Sequence, residues 1–173
     1  MKISLMSLAM ILGLAVSASA ADSSTKISGV HLCCKGCVTG VEKAVDTVPG
    51  AKAEVDKDAG TVTLSGPDSA TVQKATDALV KAGYFGTSSD AAIKVDKSTG
   101  AKNEKVKTLH VEGVHLCCAK CVKAVDTALK SVDGVKENTA TKGAKSFEVT
   151  GDFNDQEAFT ALQKEGLTGK AAK

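Results

Sequence analysis

The sequence predicts an α+β protein made of two tandem βαββαβ units. Two observations carry this expectation. First, Gly29-Val30-His31-Leu32-Cys33-Cys34 returns as Gly113-Val114-His115-Leu116-Cys117-Cys118, and Cys37, Val38, Val41, Ala44, Val48 and Gly50 recur at the same offset as Cys121, Val122, Val125, Ala128, Val132 and Gly134. Such self-similarity marks a duplicated structural unit. Second, each copy changes its apolar period in the same order, from alternation to a three- and four-residue spacing and back.

The elements follow in order. Lys2, the apolar run from Ile3 to Val16 and the small-x-small triplet Ala18-Ser19-Ala20 read as a signal peptide over residues 1–20. No later run reaches the roughly 18 apolar residues of a membrane span, so the mature chain is expected to be soluble, periplasmic or secreted, and free of the membrane. Thr25 to Gly29 and Lys107 to Gly113 alternate as strands. Val38, Val41, Val45 and Val48, with their counterparts Val122, Val125, Leu129 and Val132, stripe one face of a helix that stops at Pro49-Gly50 or Asp133-Gly134. Hairpins follow, Ala51 to Val55 with Thr61 to Leu64, and Val135 to Thr139 with Lys145 to Thr150. Second helices are expected near Ser69 to Ala82 and Asp155 to Glu165, then edge strands within Tyr84 to Val95 and Leu167 to Ala172. The order is that of two ferredoxin-like sandwiches, with units at 25–95 and 106–173. Between them, 96–105 is rich in Lys, Ser, Gly and Asn and reads as a solvated linker.

Composition excludes several classes. All 22 basic residues are lysines, the net charge is +2, and the chain has one tyrosine and no tryptophan. It offers neither guanidinium forks nor aromatic platforms for nucleic acid. No carboxylate pair, Ser-His-Asp order or phosphate loop stands out, so no enzymatic role is expected. Met1, Met6 and Met10, the only methionines, all fall in the leader, which excludes thioether metal sites.

The chemistry lies in the six cysteines, all inside the two motif copies. A disulfide framework scatters its cysteines across the elements it staples; two equivalent clusters point to soft-metal binding. Cys34 and Cys37, and likewise Cys118 and Cys121, bracket the first turn of a helix, so their side chains share a face. The helix N-terminus, with Lys35, Lys120 and Lys123 nearby, favours thiolate over thiol. Two such sulfurs in an exposed loop suit a low-coordinate cation such as Cu(I). Cys33 and Cys117 each offer a third sulfur, and His31 and His115 an imidazole. Three thiolates suit Cu(I) or Hg(II), and three thiolates with one histidine make a closed Zn(II) set. His110 has Lys26 as its counterpart and reads as a strand-surface residue.

Both units resemble the heavy-metal-associated (HMA) domain family, which includes copper chaperones, N-terminal domains of copper-transporting ATPases and small periplasmic mercury-binding proteins. The resemblance rests on a strand, then Cys-x-x-Cys, then a helix carrying Val41-Glu42-Lys43-Ala44, the Val-x-Gly turn, and Ala82-Gly83-Tyr84 after the second helix. It implies that Cys34, Cys37, Cys118 and Cys121 hold the metal. The chain departs from the family in lacking the methionine before the first cysteine, in adding Cys33 and Cys117, and in carrying Leu167 where the first unit has Tyr84.

The function expected from the sequence is capture of a soft ion, Cu(I) before Hg(II) or Zn(II), for sequestration or for transfer to another metal-handling protein by ligand exchange. One ion per unit is expected, the linker keeping the sites apart. The alternative is a thiol–disulfide redox protein or redox sensor working through the Cys-x-x-Cys pairs.

Overall fold

The computed structural model describes residues 22–172, and the leader at 1–20 lies outside them. Two four-stranded antiparallel sheets, each with two helices, follow one another along the chain. The first half runs β1 (Ser23–Ser28), α1 (Lys35–Val45), β2 (Lys52–Asp56), β3 (Thr61–Gly66), α2 (Ser69–Lys81) and β4 (Thr87–Ser88). The second runs β5 (Lys105–Glu112), α3 (Ala119–Lys130), β6 (Val135–Asn138), β7 (Ser146–Asn154), α4 (Asp155–Lys164) and β8 (Lys170–Ala171). The strand orders, β2-β3-β1-β4 and β6-β7-β5-β8, are those of the ferredoxin-like sandwich.

Alternation places one face of each sheet in a core. Ile27, Val62 and Leu64 from the first sheet meet Val41, Val45, Val72 and Leu79 from its helices; Val111, Val149 and Phe153 meet Val125, Leu129, Phe159 and Leu162 in the second. Left-handed Gly50 and Gly134, with φ of +82° and +85°, turn the chain after α1 and α3. His110 sits on the exposed side of β5 opposite Glu148.

Three features differ from the expectation. β7 runs on to Asn154: beyond Gly151, the Asp152 N–H donates to Gly134 O (2.8 Å) and Phe153 is buried, so the strand continues past Thr150, the end expected from the sequence. The edge strands shrink to two residues each, because the backbone before them is engaged elsewhere. Residues 96–104 are mostly exposed, and they are also fastened to the second half. Buried Asp155 accepts from the N–H groups of Lys102 (2.8 Å) and Glu104 (2.9 Å), and Ala171 N–H donates to the carbonyl of buried Thr99 (2.7 Å).

What occupies the backbone before the edge strands is the other half. Tyr84 and Leu167 form an antiparallel bridge across a near-twofold axis, with Phe85 N–H donating to Gly166 O and Thr168 N–H to Gly83 O, both at 3.0 Å. His31 N–H, in the first motif, also donates to Gly166 O (3.2 Å). This clasp brings the two cysteine loops face to face.

Candidate metal centre

Each motif leaves its first strand through a left-handed glycine and enters a helix at its second cysteine. Cys34 caps α1 and Cys118 caps α3, both with extended backbone and without a side-chain capping bond, so their thiols are free to face the cysteines of the opposing loop. Cys37 and Cys121 follow in the first turn and are completely buried.

All six sulfurs meet in one cluster. Cys34–Cys37 and Cys118–Cys121 are each 3.8 Å apart, as are Cys37 and Cys121 across the axis. Cys33 lies 3.4 Å from Cys118 and 3.6 Å from Cys121; Cys117 lies 3.5 Å from Cys34 and 3.6 Å from Cys37. Within their own motifs, Cys33–Cys37 and Cys117–Cys121 are 3.7 Å. All six are free thiols. The expectation of two separate, exposed sites therefore gives way to one shared centre, because each motif covers the other.

Donor groups mix the halves. Cys37, His115, Cys117 and Cys121 place their ligand atoms within 4.8 Å of one another; so do His31, Cys33 and Cys121, and Cys33, Cys34 and Cys118. The three-cysteine, one-histidine set expected within one unit is thus assembled from both.

The two histidines are not equivalent. Tyr84, fully buried, donates its one hydroxyl proton to Cys37 O (2.8 Å), and its oxygen lies 3.0 Å from His115 Nε2. With that proton committed, the contact has His115 donating from Nε2. The two rings stack with centroids 4.5 Å apart. At the equivalent place His31 has Leu167, and its buried Nε2 has no hydrogen-bond partner. Burial lowers the pKa of His31. The sequence already marks this asymmetry, in Leu167 standing where Tyr84 does; the crossing of each aromatic position to the other motif's histidine is a tertiary fact it does not contain.

Proton sharing polarises the thiols. A hydrogen bond from Cys121 lowers the pKa of Cys37, helped by His115 and Cys117, and Cys121, as the donor, is pushed up. Burial raises Cys33 to about 12 and raises Cys117 as well. At Cys118 burial opposes ionisation, but the N–H groups of Cys121 and Lys120 and the Cys33 thiol outweigh it and hold the group at about 6. This is the helix-start effect expected from the sequence.

The fold and the clustered thiols define a mixed α/β protein whose site suits a heavy-metal ion. No family model matches the chain. It is 34% identical over 128 residues to copper-transporting ATPase 2 of Rhizobium meliloti (strain 1021), a match covering 70% of this chain and 13% of that protein. The chain therefore spans a small part of that relative's length. Among solved structures, the apo form of the HMA domain of copper chaperone for superoxide dismutase is 24% identical, covering 51% of this chain and 86% of that one at a TM-score of 0.35. The N-terminal soluble domains of Bacillus subtilis CopA are 18% identical over 88% of this chain and 95% of theirs, at 0.31.

Proposed function

We propose that this is a periplasmic or secreted protein of the heavy-metal-associated type that captures a thiophilic ion, Cu(I) first, in a single centre built jointly by its two halves. The observation that carries the reading is the convergence of six free thiols, with two histidines, at one interface. Similarity to a copper-transporting ATPase supports copper over Hg(II) or Zn(II). The halves are read as HMA-like domains at 25–95 and 106–173 joined by 96–105, behind a cleaved leader at 1–20.

The role is binding and transfer rather than catalysis. Cys37 and Cys121 are sealed, whereas Cys33, Cys34, Cys117 and Cys118 remain half-exposed. A partner's thiolates would approach by the half-exposed rim and displace sulfurs one at a time, which a low-coordinate soft ion permits. Release requires the halves to part, so retention is the resting behaviour and hand-over the triggered one.

Titrating the fully reduced protein with Cu(I) against a competing chelator tests this. Tight binding that is lost when all six cysteines become serine is expected. No binding by protein with six confirmed free thiols would overturn the metal reading and favour thiol redox chemistry.

A further inference from the structure

We propose that Cys33 and Cys117 are crossed ligands: each completes the Cys-x-x-Cys pair of the other half, giving two three-sulfur Cu(I) sites, Cys34–Cys37–Cys117 and Cys118–Cys121–Cys33. The proposal rests on the metal reading above and says what the extra cysteine of each motif is for.

Backbone direction supplies the first argument. Cys34 and Cys118 have extended backbone, with φ/ψ of −160°/170° and −152°/171°. Successive side chains of extended chain leave on opposite sides. Cys33 and Cys34 therefore leave the backbone on opposite sides, as do Cys117 and Cys118, and each extra cysteine keeps one contact of 3.7 Å to the buried cysteine of its own motif. Each finds its two shortest contacts in the other half.

The second argument is size. The sulfurs of Cys34, Cys37 and Cys117 form a triangle with sides of 3.8, 3.6 and 3.5 Å. Cys118, Cys121 and Cys33 form one with sides of 3.8, 3.6 and 3.4 Å. A triangle with sides near 3.6 Å places its centre about 2.1 Å from each corner, so an expansion of ~0.2 Å reaches a metal–thiolate bond of about 2.3 Å. Three-sulfur coordination suits Cu(I).

The third is partition. Two other closed triangles, Cys37–Cys117–Cys121 and Cys33–Cys37–Cys121, share the Cys37–Cys121 edge and compete for the same sulfurs. The crossed pair alone uses all six cysteines once and is preserved by the near-twofold relation. Binding is then also fastening, since each ion holds a ligand from both halves.

The test uses full-length mature protein. The wild type should bind two Cu(I) per chain by native mass spectrometry. In a Cys118→Ser, Cys121→Ser background, which isolates the first site, adding Cys117→Ser should weaken Cu(I) binding by about tenfold or more, while adding Cys33→Ser should leave it unchanged. In a Cys34→Ser, Cys37→Ser background the roles should reverse. Circular dichroism identifies any variant that fails to fold, and the mirrored background then decides. A larger loss from Cys33→Ser in the first background, equal losses from both, or a single ion in the wild type would overturn the crossing while leaving metal binding intact. No Cu(I) bound by reduced wild type would instead overturn the metal reading itself.

Discussion

Replacing Gly83 by alanine probes whether the clasp between the halves builds the centre. Gly83 has a φ of +89°, and a Cβ there would stand within 2.3 Å of Gly113 O and 2.4 Å of His115 N, backbone atoms of the other half that no rotamer change can move aside. Gly113 is the matched control: its φ is +79° and nothing lies within 4 Å of its Cβ position. Both substitutions carry the left-handed penalty of about 1–2 kcal/mol. Only Gly83→Ala adds a clash, about 1–3 kcal/mol by analogy with overpacked cores. The excess of Gly83→Ala over Gly113→Ala is therefore expected at about 1–3 kcal/mol, or about five- to 150-fold in the population of the closed arrangement. Urea denaturation followed by circular dichroism reads the stability difference, and chelator competition reads the matching loss of Cu(I) affinity. Equal stability and equal affinity in the two variants would refute the reasoning, because the halves would then not depend on close approach at Gly83.

Tyr84→Phe leaves the buried Cys37 carbonyl and His115 Nε2 without their shared hydroxyl; a cost of about 1–3 kcal/mol is expected in chemical denaturation, and nitrogen-15 NMR should show the protein's Nε2–H tautomer of His115 lost from dominance. Asp155→Asn should cost about 1.5–3 kcal/mol at neutral pH, since the carboxylate accepts two backbone N–H groups from the connector. Burial pushes this carboxyl up, but those bonds outweigh it and its pKa lies below the usual value of 3.8. The contribution is thus complete above the unfolded pKa and lost as pH falls through the folded one, so the gap between melts of wild type and variant should begin to narrow below about pH 4 and go on narrowing as the pH falls; a gap that does not change with pH would contradict the assignment. Reduced, metal-free protein should show a cooperative melt with native-like circular dichroism, because the buried apolar residues of both halves join in one core cluster that needs no metal to form. Cu(I) at 100 times its dissociation constant should add about 2.7 kcal/mol, and a random-coil apo spectrum would point to a closed structural zinc site.

The local pattern was legible wherever short-range physics decides. The valine stripe after Cys37, its repeat after Cys121 and the glycine stops mark α1 and α3 because amphipathic period and turn chemistry are properties of neighbouring residues. The end of β7 escapes for the opposite reason: Asp152 stays in the sheet because its N–H reaches Gly134, which is distant in sequence. The ligand types were legible and their partners were not. Nothing near Cys33 in the chain announces Cys118, and nothing near Tyr84 announces His115, since both contacts depend on how two finished sandwiches meet. The polar, glycine-bearing connector looked free because its tether, Asp155, lies 51 residues beyond Glu104.

Holding both motifs in one chain, with the connector fastened along the second half, turns assembly of the centre into a unimolecular event. Short tethers impose effective concentrations in the millimolar range. Two separate single-motif proteins would have to reach comparable levels before their sulfurs met as often, whereas here the six thiols find one another at any dilution. Where other thiol scavengers compete for scarce ions, the protein's capacity then scales with its first power, not its square.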